Sequence, residues 1–289
     1  MKETLERIDA LKTELDALRP VEGDLLPPDL QRSQDIELTY SSNAIEGNTL
    51  TLDETAALIE HGITVGGKHV NELFEAVDHY EAIQWMRGIA AANTPLTEET
   101  ITELHRRIVM NSRKDIAGMY SQNTRRIYGS HVVFPNPVKI PALMKDLGYK
   151  LSTNDGTPRA AFDMHYQLVT IHPFDDGNGR TARLLMNLML LRGGYVPVSV
   201  RPEDRLEYLN TIKAAQLEQT PTAPAFEAFM HQRLATNLGE YVHDLRQGRE
   251  ARSKGQEANG EKKDEPEPSL SAQTLAQIAS MKARQGPGI

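Results

Sequence analysis

Residues 172–183, with the sequence HPFDDGNGRTAR, combine several chemically active side chains with a glycine-rich turn. Gly177 and Gly179 flank Asn178, so the backbone can turn tightly and present its N–H groups to an anion. The residues that follow, 180–191, have helical character, which places the turn at a helix N-terminus. Unsatisfied N–H donors and partial positive charge make such an end favourable for phosphate.

The charged residues of this run add to the phosphate chemistry. Arg180 and Arg183 are three residues apart, so both guanidinium groups can reach phosphate oxygens from one side of a helix. Asp176 offers a hard oxygen ligand for a Mg²⁺ ion shared with a di- or triphosphate. His172 titrates near neutrality and could remove a proton from a hydroxyl nucleophile. A purely structural turn would not require all these residues in this order. Together they therefore predict a phosphate-binding site that contains its own general base.

The run resembles the signature of the Fic family (filamentation induced by cAMP), His-x-Phe-x-Asp/Glu-Gly-Asn-Gly-Arg-x-x-Arg, at every fixed position. The resemblance extends over residues 30–220 and implies an all-α, Fic-type helical domain with a small β-hairpin flap. Fic proteins are mostly protein adenylyltransferases. They transfer AMP from ATP to a Tyr, Thr or Ser hydroxyl of a target protein and release pyrophosphate.

The resemblance also implies a role for each matching residue. His172 would act as the base, Asp176 would bind Mg²⁺ and Phe174 would anchor the loop. The ATP phosphates would be bound by Gly177, Asn178, Gly179, Arg180 and Arg183. ATP is the implied substrate and Mg²⁺ the implied cofactor. In-line attack on the α-phosphate depends on positioning and on charge neutralisation more than on covalent steps.

A second motif, Ser-Asn-Ala-Ile-Glu-Gly at residues 42–47, precedes the central run. It fits the Ser/Thr-x-x-x-Glu-Gly/Asn motif of the inhibitory helix of Fic proteins. A glutamate on a helix is usually a solvated residue, but the resemblance implies that Glu46 pairs with Arg183 in a charge-assisted contact. Arg183 would then not reach the γ-phosphate. Ser42, Glu46 and Gly47 are therefore the predicted inhibitory residues of an intramolecularly inhibited enzyme.

A segment with strand character interrupts the helical pattern and predicts two short strands around a Gly-Ser turn. Its position matches the flap of Fic proteins, which holds the target through main-chain contacts. The predicted flap residues are Arg125, Arg126, Ile127, Tyr128, Gly129, Ser130, His131, Val132, Val133 and Phe134. Upstream of the flap, residues 118–120 resemble the Gly-x-Tyr-Arg of many Fic domains, but Ser121 stands where arginine is usual.

Two further residues have both a functional and a structural interpretation. Tyr208 could line an adenine pocket, as in relatives, or belong to the core. His165 lies seven residues before His172 and could join it on a metal. We favour a hydrogen-bonded helix histidine, because no third ligand follows at a recognisable spacing.

Apolar periodicity predicts the helices that position these residues. The predicted helices cover residues 2–19, 28–46, 52–61, 70–91, 97–109, 139–153, 158–171, 180–191, 202–217 and 224–247. The helix after the central run is apolar on nearly all sides and should be buried. The predicted regions are an N-terminal helical region with the inhibitory helix (1–95), the Fic catalytic core (96–220), a C-terminal helix packed on it (221–247) and a disordered tail (248–289).

Composition restricts the partners and the compartment. The chain has 289 residues, no cysteine and a net charge of −8, which excludes disulfides and argues against nucleic acid as a partner. No apolar run approaches the ~20 residues of a membrane span, and the N-terminus lacks a signal-peptide pattern. We expect a cytoplasmic protein with ATP and an unidentified target protein as partners. Self-modification and homo-oligomerisation stay open.

Three other functions fit the same motifs. One is removal of AMP from a modified target, in which the inhibitory glutamate orients a water. Another is phosphotransfer of the kind performed by the related Doc toxins, although that branch usually departs from Gly-Asn-Gly-Arg. The third is a nucleotide-sensing interaction protein without turnover.

Overall fold

The computed structural model of the chain describes residues 1–19, 28–64, 66–92, 94–124 and 131–256. Its helices are α1 (Lys2–Leu18), α2 (Pro28–Ile45), α3 (Leu52–His61), α4 (Val70–Ala92), α5 (Glu98–Ile108), α6 (Ile140–Ser152), α7 (Pro158–Ile171), α8 (Asn178–Arg192), α9 (Arg205–Leu217) and α10 (Pro224–Gln256). The described residues form no β-strand, so the predicted all-α class is confirmed. None of the helices in this part of the chain is long and apolar enough to cross a membrane.

Local sequence determines the ends of α3, which follows the second motif. The Thr51 hydroxyl accepts a hydrogen bond from the Glu54 N–H at 3.2 Å, and the Glu54 carboxylate accepts one from the Thr51 N–H at 2.8 Å. This reciprocal capping box satisfies two N–H groups that a helix start leaves unpaired. Gly62 ends the helix with a φ of 63°, in the left-handed region that glycine adopts without steric cost. Both predicted ends are confirmed.

The apolar helix that follows the central run, α8, is the centre of the molecule. Leu184, Leu185 and Met186 are consecutive and therefore point to different sides of α8, and all three are buried. Helices α4, α5 and α7 enclose it, while α1 packs along α10. A helix that is apolar all round must be enclosed, so the surrounding core fixes the position of its N-terminus.

A buried ion pair ties α2, which carries the second motif, to α4. The Asp35 carboxylate is 1% exposed and accepts hydrogen bonds from Arg87 Nη2 at 2.6 Å and Arg87 Nε at 2.8 Å. Gln84 Nε2, one turn before Arg87, donates to the same carboxylate at 2.9 Å. Because a buried carboxylate without a cation is costly, this pair fixes how α2 lies on α4.

The end of the chain differs from the prediction. Helix α10 continues to Gln256, so residues 248–256 are helical and the predicted boundary after 247 lies inside a helix. Within the extension, Arg249 donates to the Leu18 carbonyl at the end of α1, and just before it Arg246 pairs with Glu14 of α1. Residues 257–289 lie outside the described residues, and the boundaries after 95 and 220 stay predictions.

The predicted flap is described in part. Residues 125–130 lie outside the described part, and residues 131–134 are not assigned to a strand. Val132 and Phe134 are buried whereas Val133 is exposed. The segment therefore turns alternate side chains toward the protein, as an extended chain does.

Breaking the buried ion pair tests its role in the fold. Replacing Arg87 by methionine should lower the free energy of unfolding by about 3–5 kcal/mol, because Asp35 stays buried without its cation. Urea unfolding followed by circular dichroism measures the change. The double variant Asp35→Leu with Arg87→Met should recover most of the loss, and a single variant as stable as the parent would contradict this role.

Candidate active site

The central run forms the junction between α7 and α8. Helix α7 ends at Ile171, and His172 follows with a left-handed backbone and a φ of 52°. The Asn178 side chain closes the loop, because its Oδ1 accepts from the Phe174 N–H at 2.9 Å and its Nδ2 donates to the Phe174 carbonyl at 2.8 Å. Gly177, with a φ of 74°, precedes the first turn of α8. The predicted glycine-rich turn therefore does lie at a helix N-terminus.

A second segment, around Tyr120, supports this loop. Tyr120 forms an antiparallel β-bridge with Phe174, and the Ser121 N–H donates to the Pro173 carbonyl at 2.8 Å. The Tyr120 hydroxyl donates to the Glu98 carboxylate at 2.7 Å, which fixes the segment to α5. The serine at the position where relatives carry arginine still holds the loop, because the contact uses only its main chain.

The first turn of α8 is open to an acidic group because Gly179 has no side chain. A Cβ atom at Gly179 would collide with the Glu46 carboxylate and lie 3.0 Å from Arg183 Nη1. Glu46 therefore places a negative charge at the N-terminus of α8, where unpaired N–H groups and the helix dipole stabilise it. The same field would attract a phosphate group.

Arg180 is buried within the first turn of α8. Its side chain is 2% exposed, its Nη2 donates to Asp176 Oδ2 at 3.4 Å and its Nη1 lies 3.6 Å from Glu75 Oε1. Among the described residues, neither Nε nor Nη1 of Arg180 has a hydrogen-bond partner. Because buried polar groups are normally satisfied, this guanidinium has donors available for the oxygens of an anion.

Arg183 contacts the segment that carries the second motif. Its Nη2 donates to Glu46 Oε1 at 2.7 Å and to the Ser42 carbonyl at 2.8 Å, while its Nε donates to Ser42 Oγ at 2.9 Å. The expected contact between Glu46 and Arg183 is therefore present. Glu46 directly follows Ile45, the last residue of α2, and Gly47 then turns the chain with a φ of 103°.

Tyr208 is buried, as the structural one of its two interpretations requires, and its place in an adenine pocket stays a prediction. Its hydroxyl lies 2.8 Å from His165 Nε2 and accepts from Arg183 Nη1 at 3.3 Å. His165 is buried, and its ring stacks on Phe226. It is thus the hydrogen-bonded helix histidine that we favoured. The described residues contain no group of three or more His, Asp or Glu side chains that could hold a metal by themselves.

His172 lies beside the described end of the flap. Its ring stacks on Phe134 with 4.2 Å between the ring centroids. Its Nδ1 is 3.4 Å from the Val169 carbonyl oxygen. That contact favours the tautomer with the proton on Nδ1, which makes Nε2 the basic nitrogen.

Two buried histidines outside both motifs were missed by the sequence analysis. Burial, followed by the charges of Arg183 and Arg180, lowers the pKa of His79 well below its usual value. Burial lowers the pKa of His105 to about 4. Both are therefore neutral near pH 7, and neither adds positive charge to the two arginines. Residue spacing could not identify them, because their contacts come from distant parts of the chain.

The comparisons with known proteins agree with this architecture. The Fic/DOC family model matches residues 95–190. A Fic domain containing signaling protein from Bacteroides thetaiotaomicron is 30% identical, with a TM-score of 0.74 over 83% of this chain and 97% of its own. A structure of Fic-1 from Caenorhabditis elegans is 26% identical, with a TM-score of 0.75 over 86% of this chain and 74% of its own. The chain belongs to the Fic family.

Curated relatives match a shorter part of the chain. Protein adenylyltransferase Fic of Nematostella vectensis is 37% identical over 181 residues, which are 61% of this chain and 42% of the relative. Protein adenylyltransferase fic-1 of Caenorhabditis elegans is 36% identical over 185 residues, 62% of this chain and 36% of the relative. The chain thus spans less than half the length of these relatives.

The buried His165 predicts how stability depends on pH. Burial, followed by the charge of Arg183, lowers the pKa of His165 from 6.5 to about 3. Above pH 6.5 the residue is neutral whether folded or unfolded, so it has no effect. Between pH 6.5 and 3 only the unfolded chain takes up its proton, so stability falls as the pH falls.

Replacing His165 by glutamine should reduce this pH dependence. One proton corresponds to a slope of about 1.4 kcal/mol per pH unit, and the variant should lose that much of the slope between pH 5.5 and 4. Urea unfolding at several pH values measures it. Equal slopes for the parent and the variant would contradict a neutral, buried His165.

Proposed function

We propose that this chain is an autoinhibited protein adenylyltransferase, which transfers AMP from ATP to a hydroxyl side chain of a target protein, or of itself, and releases pyrophosphate. One observation carries the proposal: a left-handed histidine, a carboxylate and two buried arginines surround the N-terminus of one helix. The names of the curated relatives state the same class of activity for those proteins.

The electrostatics of the site suit a polyphosphate. Arg180 and Arg183 put two positive charges beside the open first turn of α8, and the buried His79, His105 and His165 are neutral near pH 7. The carboxylate of Glu46 already lies at this helix end, as an anion does. In the competent pose, ATP phosphates would take its place beside the helix N-terminus and the guanidinium donors.

The residues present fit a Mg²⁺ ion shared with the nucleotide. The Asp176 side chain is half exposed, with its Oδ2 near Arg180 and its Oδ1 accepting from the Gly177 N–H at 2.7 Å. Mg²⁺ commonly binds one or two carboxylates together with substrate phosphates, so one protein ligand is enough. When bound, the ion would neutralise charge on the phosphate oxygens.

His172 would act as the base. With its Nδ1 turned to the Val169 carbonyl, its Nε2 can accept the proton of the target hydroxyl. The hydroxyl oxygen forms a bond to the α-phosphorus, and the bond from that phosphorus to the bridging oxygen of pyrophosphate breaks. Phe134 stacks on the ring and would limit its rotation, so the base keeps one direction relative to the loop.

The contact between Glu46 and Arg183 would be the inhibitory element. While Arg183 donates to Glu46, it is directed away from the γ-phosphate, and ATP would bind in a pose unsuited to attack. The glutamate belongs to the same chain, so inhibition needs no separate protein. The flap, residues 125–134, is proposed to hold the target through its main chain.

Labelled ATP distinguishes the proposed transfer from its alternatives. Label from the α-phosphate should enter protein, whereas label from the γ-phosphate alone would indicate phosphotransfer. Replacing His172 by alanine should lower AMP transfer by ~10²–10⁴, the usual contribution of a positioned acid–base group, while ATP binding persists. An alanine variant that transfers AMP at the parent rate would refute the assignment of the base.

Releasing Glu46 tests the inhibition. Glu46→Gly should increase transfer, because a charge-assisted hydrogen bond worth ~1.5–3 kcal/mol no longer holds Arg183. The competent ATP-bound fraction should then rise by about ten- to hundredfold. Glu46→Gln, which keeps a weaker hydrogen bond, is the matched control and should give an intermediate rate.

The double variant Glu46→Gly with Arg183→Ala should lose most of the gain, since the freed arginine is its cause. All four proteins are assayed together by incorporation of label from α-labelled ATP. If Glu46→Gly transfers no more AMP than the parent, or the double variant keeps the full gain, the inhibitory interpretation fails. A variant that instead removes AMP more slowly from a modified target would favour the reverse reaction.

A further inference from the structure

His105 of α5 is buried and lies outside both motifs, yet it contacts the active-site loop at Phe174 and Asp176. Its Nδ1 accepts a hydrogen bond from the Gly118 N–H at 3.0 Å. An amide N–H can only donate, so Nδ1 carries no proton and the proton lies on Nε2. Nε2–H therefore donates to the Asp176 carbonyl at 3.1 Å. The two partners fix one tautomer of the ring.

The face of the same ring supports the loop by packing. The His105 and Phe174 rings are stacked, with 3.7 Å between centroids and 2° between planes. On the other side of Asp176, a Cβ atom at Gly177 would lie 3.4 Å from His105 Cδ2. The histidine thus packs on Phe174, two positions before Asp176, and leaves room for no side chain larger than a methyl group at Gly177, directly after it.

The hydrogen bond to Asp176 has a consequence for its carboxylate. The carbonyl that His105 binds and the Gly177 N–H belong to one peptide group, which is planar. That N–H donates to Asp176 Oδ1 at 2.7 Å. By holding the carbonyl, His105 sets the plane of the peptide, and the plane in turn directs the carboxylate. The same peptide supplies an N–H at the start of α8.

We propose that His105 is a positioning residue that orients the Asp176 carboxylate toward a divalent cation shared with the nucleotide. The proposal rests on the proposed function, because the cation belongs to that reaction. His105 itself touches neither the nucleotide nor the target, and it acts through the peptide between Asp176 and Gly177. Mutation of a residue that orients a metal ligand in this way typically lowers metal affinity or activity by 10–100-fold.

Two substitutions separate the hydrogen bonds from the packing. His105→Phe keeps a flat ring against Phe174 but leaves the Gly118 N–H and the Asp176 carbonyl without their partner. His105→Gln loses the ring, but its amide nitrogen reaches about as far as Nε2 and can donate to Asp176. His231→Phe is the matched control. His231 is also a buried helix histidine packed on a phenylalanine, Phe162, but it lies on α10, away from the loop.

The variants are made in the Glu46→Gly background, and two properties are measured for each. The first is the Mg²⁺ concentration that half-saturates AMP transfer, together with kcat and KM for ATP. The second is calorimetric binding of ATP with and without Mg²⁺, which needs no turnover. The melting temperature shows that each protein is folded at the temperature of the assay.

We expect His105→Phe to raise the half-saturating Mg²⁺ concentration by about 10–100-fold, with a fall in kcat and a smaller change in ATP binding without Mg²⁺. His105→Gln should recover part of the Mg²⁺ response, and His231→Phe should match the parent. A folded His105→Phe protein with the parent's Mg²⁺ response would overturn the proposal. The proposal would also be overturned if His105→Phe weakened ATP binding equally with and without Mg²⁺.

Failure of the proposed function would be visible separately. If the Glu46→Gly parent binds ATP with Mg²⁺ but transfers no AMP, the adenylyltransferase proposal fails. The calorimetric comparison of His105→Phe and His105→Gln still decides the role of His105. If instead the parent transfers AMP and the variants respond to Mg²⁺ as it does, only the inference on His105 fails.

Discussion

The buried guanidinium of Arg183 is the interaction on which the arrangement of the site depends. A charged group that leaves water must find partners, or the fold loses several kcal/mol. Arg183 finds them on two helices that are distant in sequence, at Ser42 and Glu46 near the end of α2 and at Tyr208 of α9. The need to satisfy one cation thus brings α2, α8 and α9 together at the N-terminus of α8.

The partners of this cation are not equally fixed. The Arg183 side chain is 6% exposed and keeps contacts with Ser42 and Tyr208, whereas the Glu46 side chain is 41% exposed. Removing Glu46 from the site therefore breaks fewer contacts than removing Arg183. If the contact regulates the enzyme, the glutamate is the part that moves.

The surroundings limit that movement to a short segment. Helix α2 is held by the buried pair of Asp35 and Arg87, and Arg205 Nε donates to the Ile45 carbonyl at 2.7 Å at its last turn. Glu46 lies just beyond this anchored end, followed by a glycine with a left-handed backbone. A change of the turn at residues 46–47 can thus withdraw the carboxylate while α2 stays in place.

Local chemistry accounts for what the sequence predicted well. The capping box of Thr51 and Glu54, the stop at Gly62 and the apolar α8 depend on near neighbours, so spacing alone identifies them. His105 could not be identified in this way, because Gly118 and Asp176 reach it from other parts of the chain. The same limit applies to Tyr208, whose partners lie on α7 and α8, and to α10, whose last turns contact α1.

In the loop between α7 and α8, main-chain N–H and carbonyl groups form the hydrogen bonds that a buried, irregular segment requires. The Pro173 carbonyl accepts from Ser121, both main-chain groups of Phe174 bind Asn178, and the Asp176 carbonyl binds His105. The Gly177 carbonyl accepts from the Thr181 hydroxyl at 2.8 Å. With these groups paired within the protein, the loop has little reason to rearrange when an anion arrives. A site organised in advance stabilises developing charge without reorganisation, so the proposed control at Glu46, outside the loop, would leave this organisation intact.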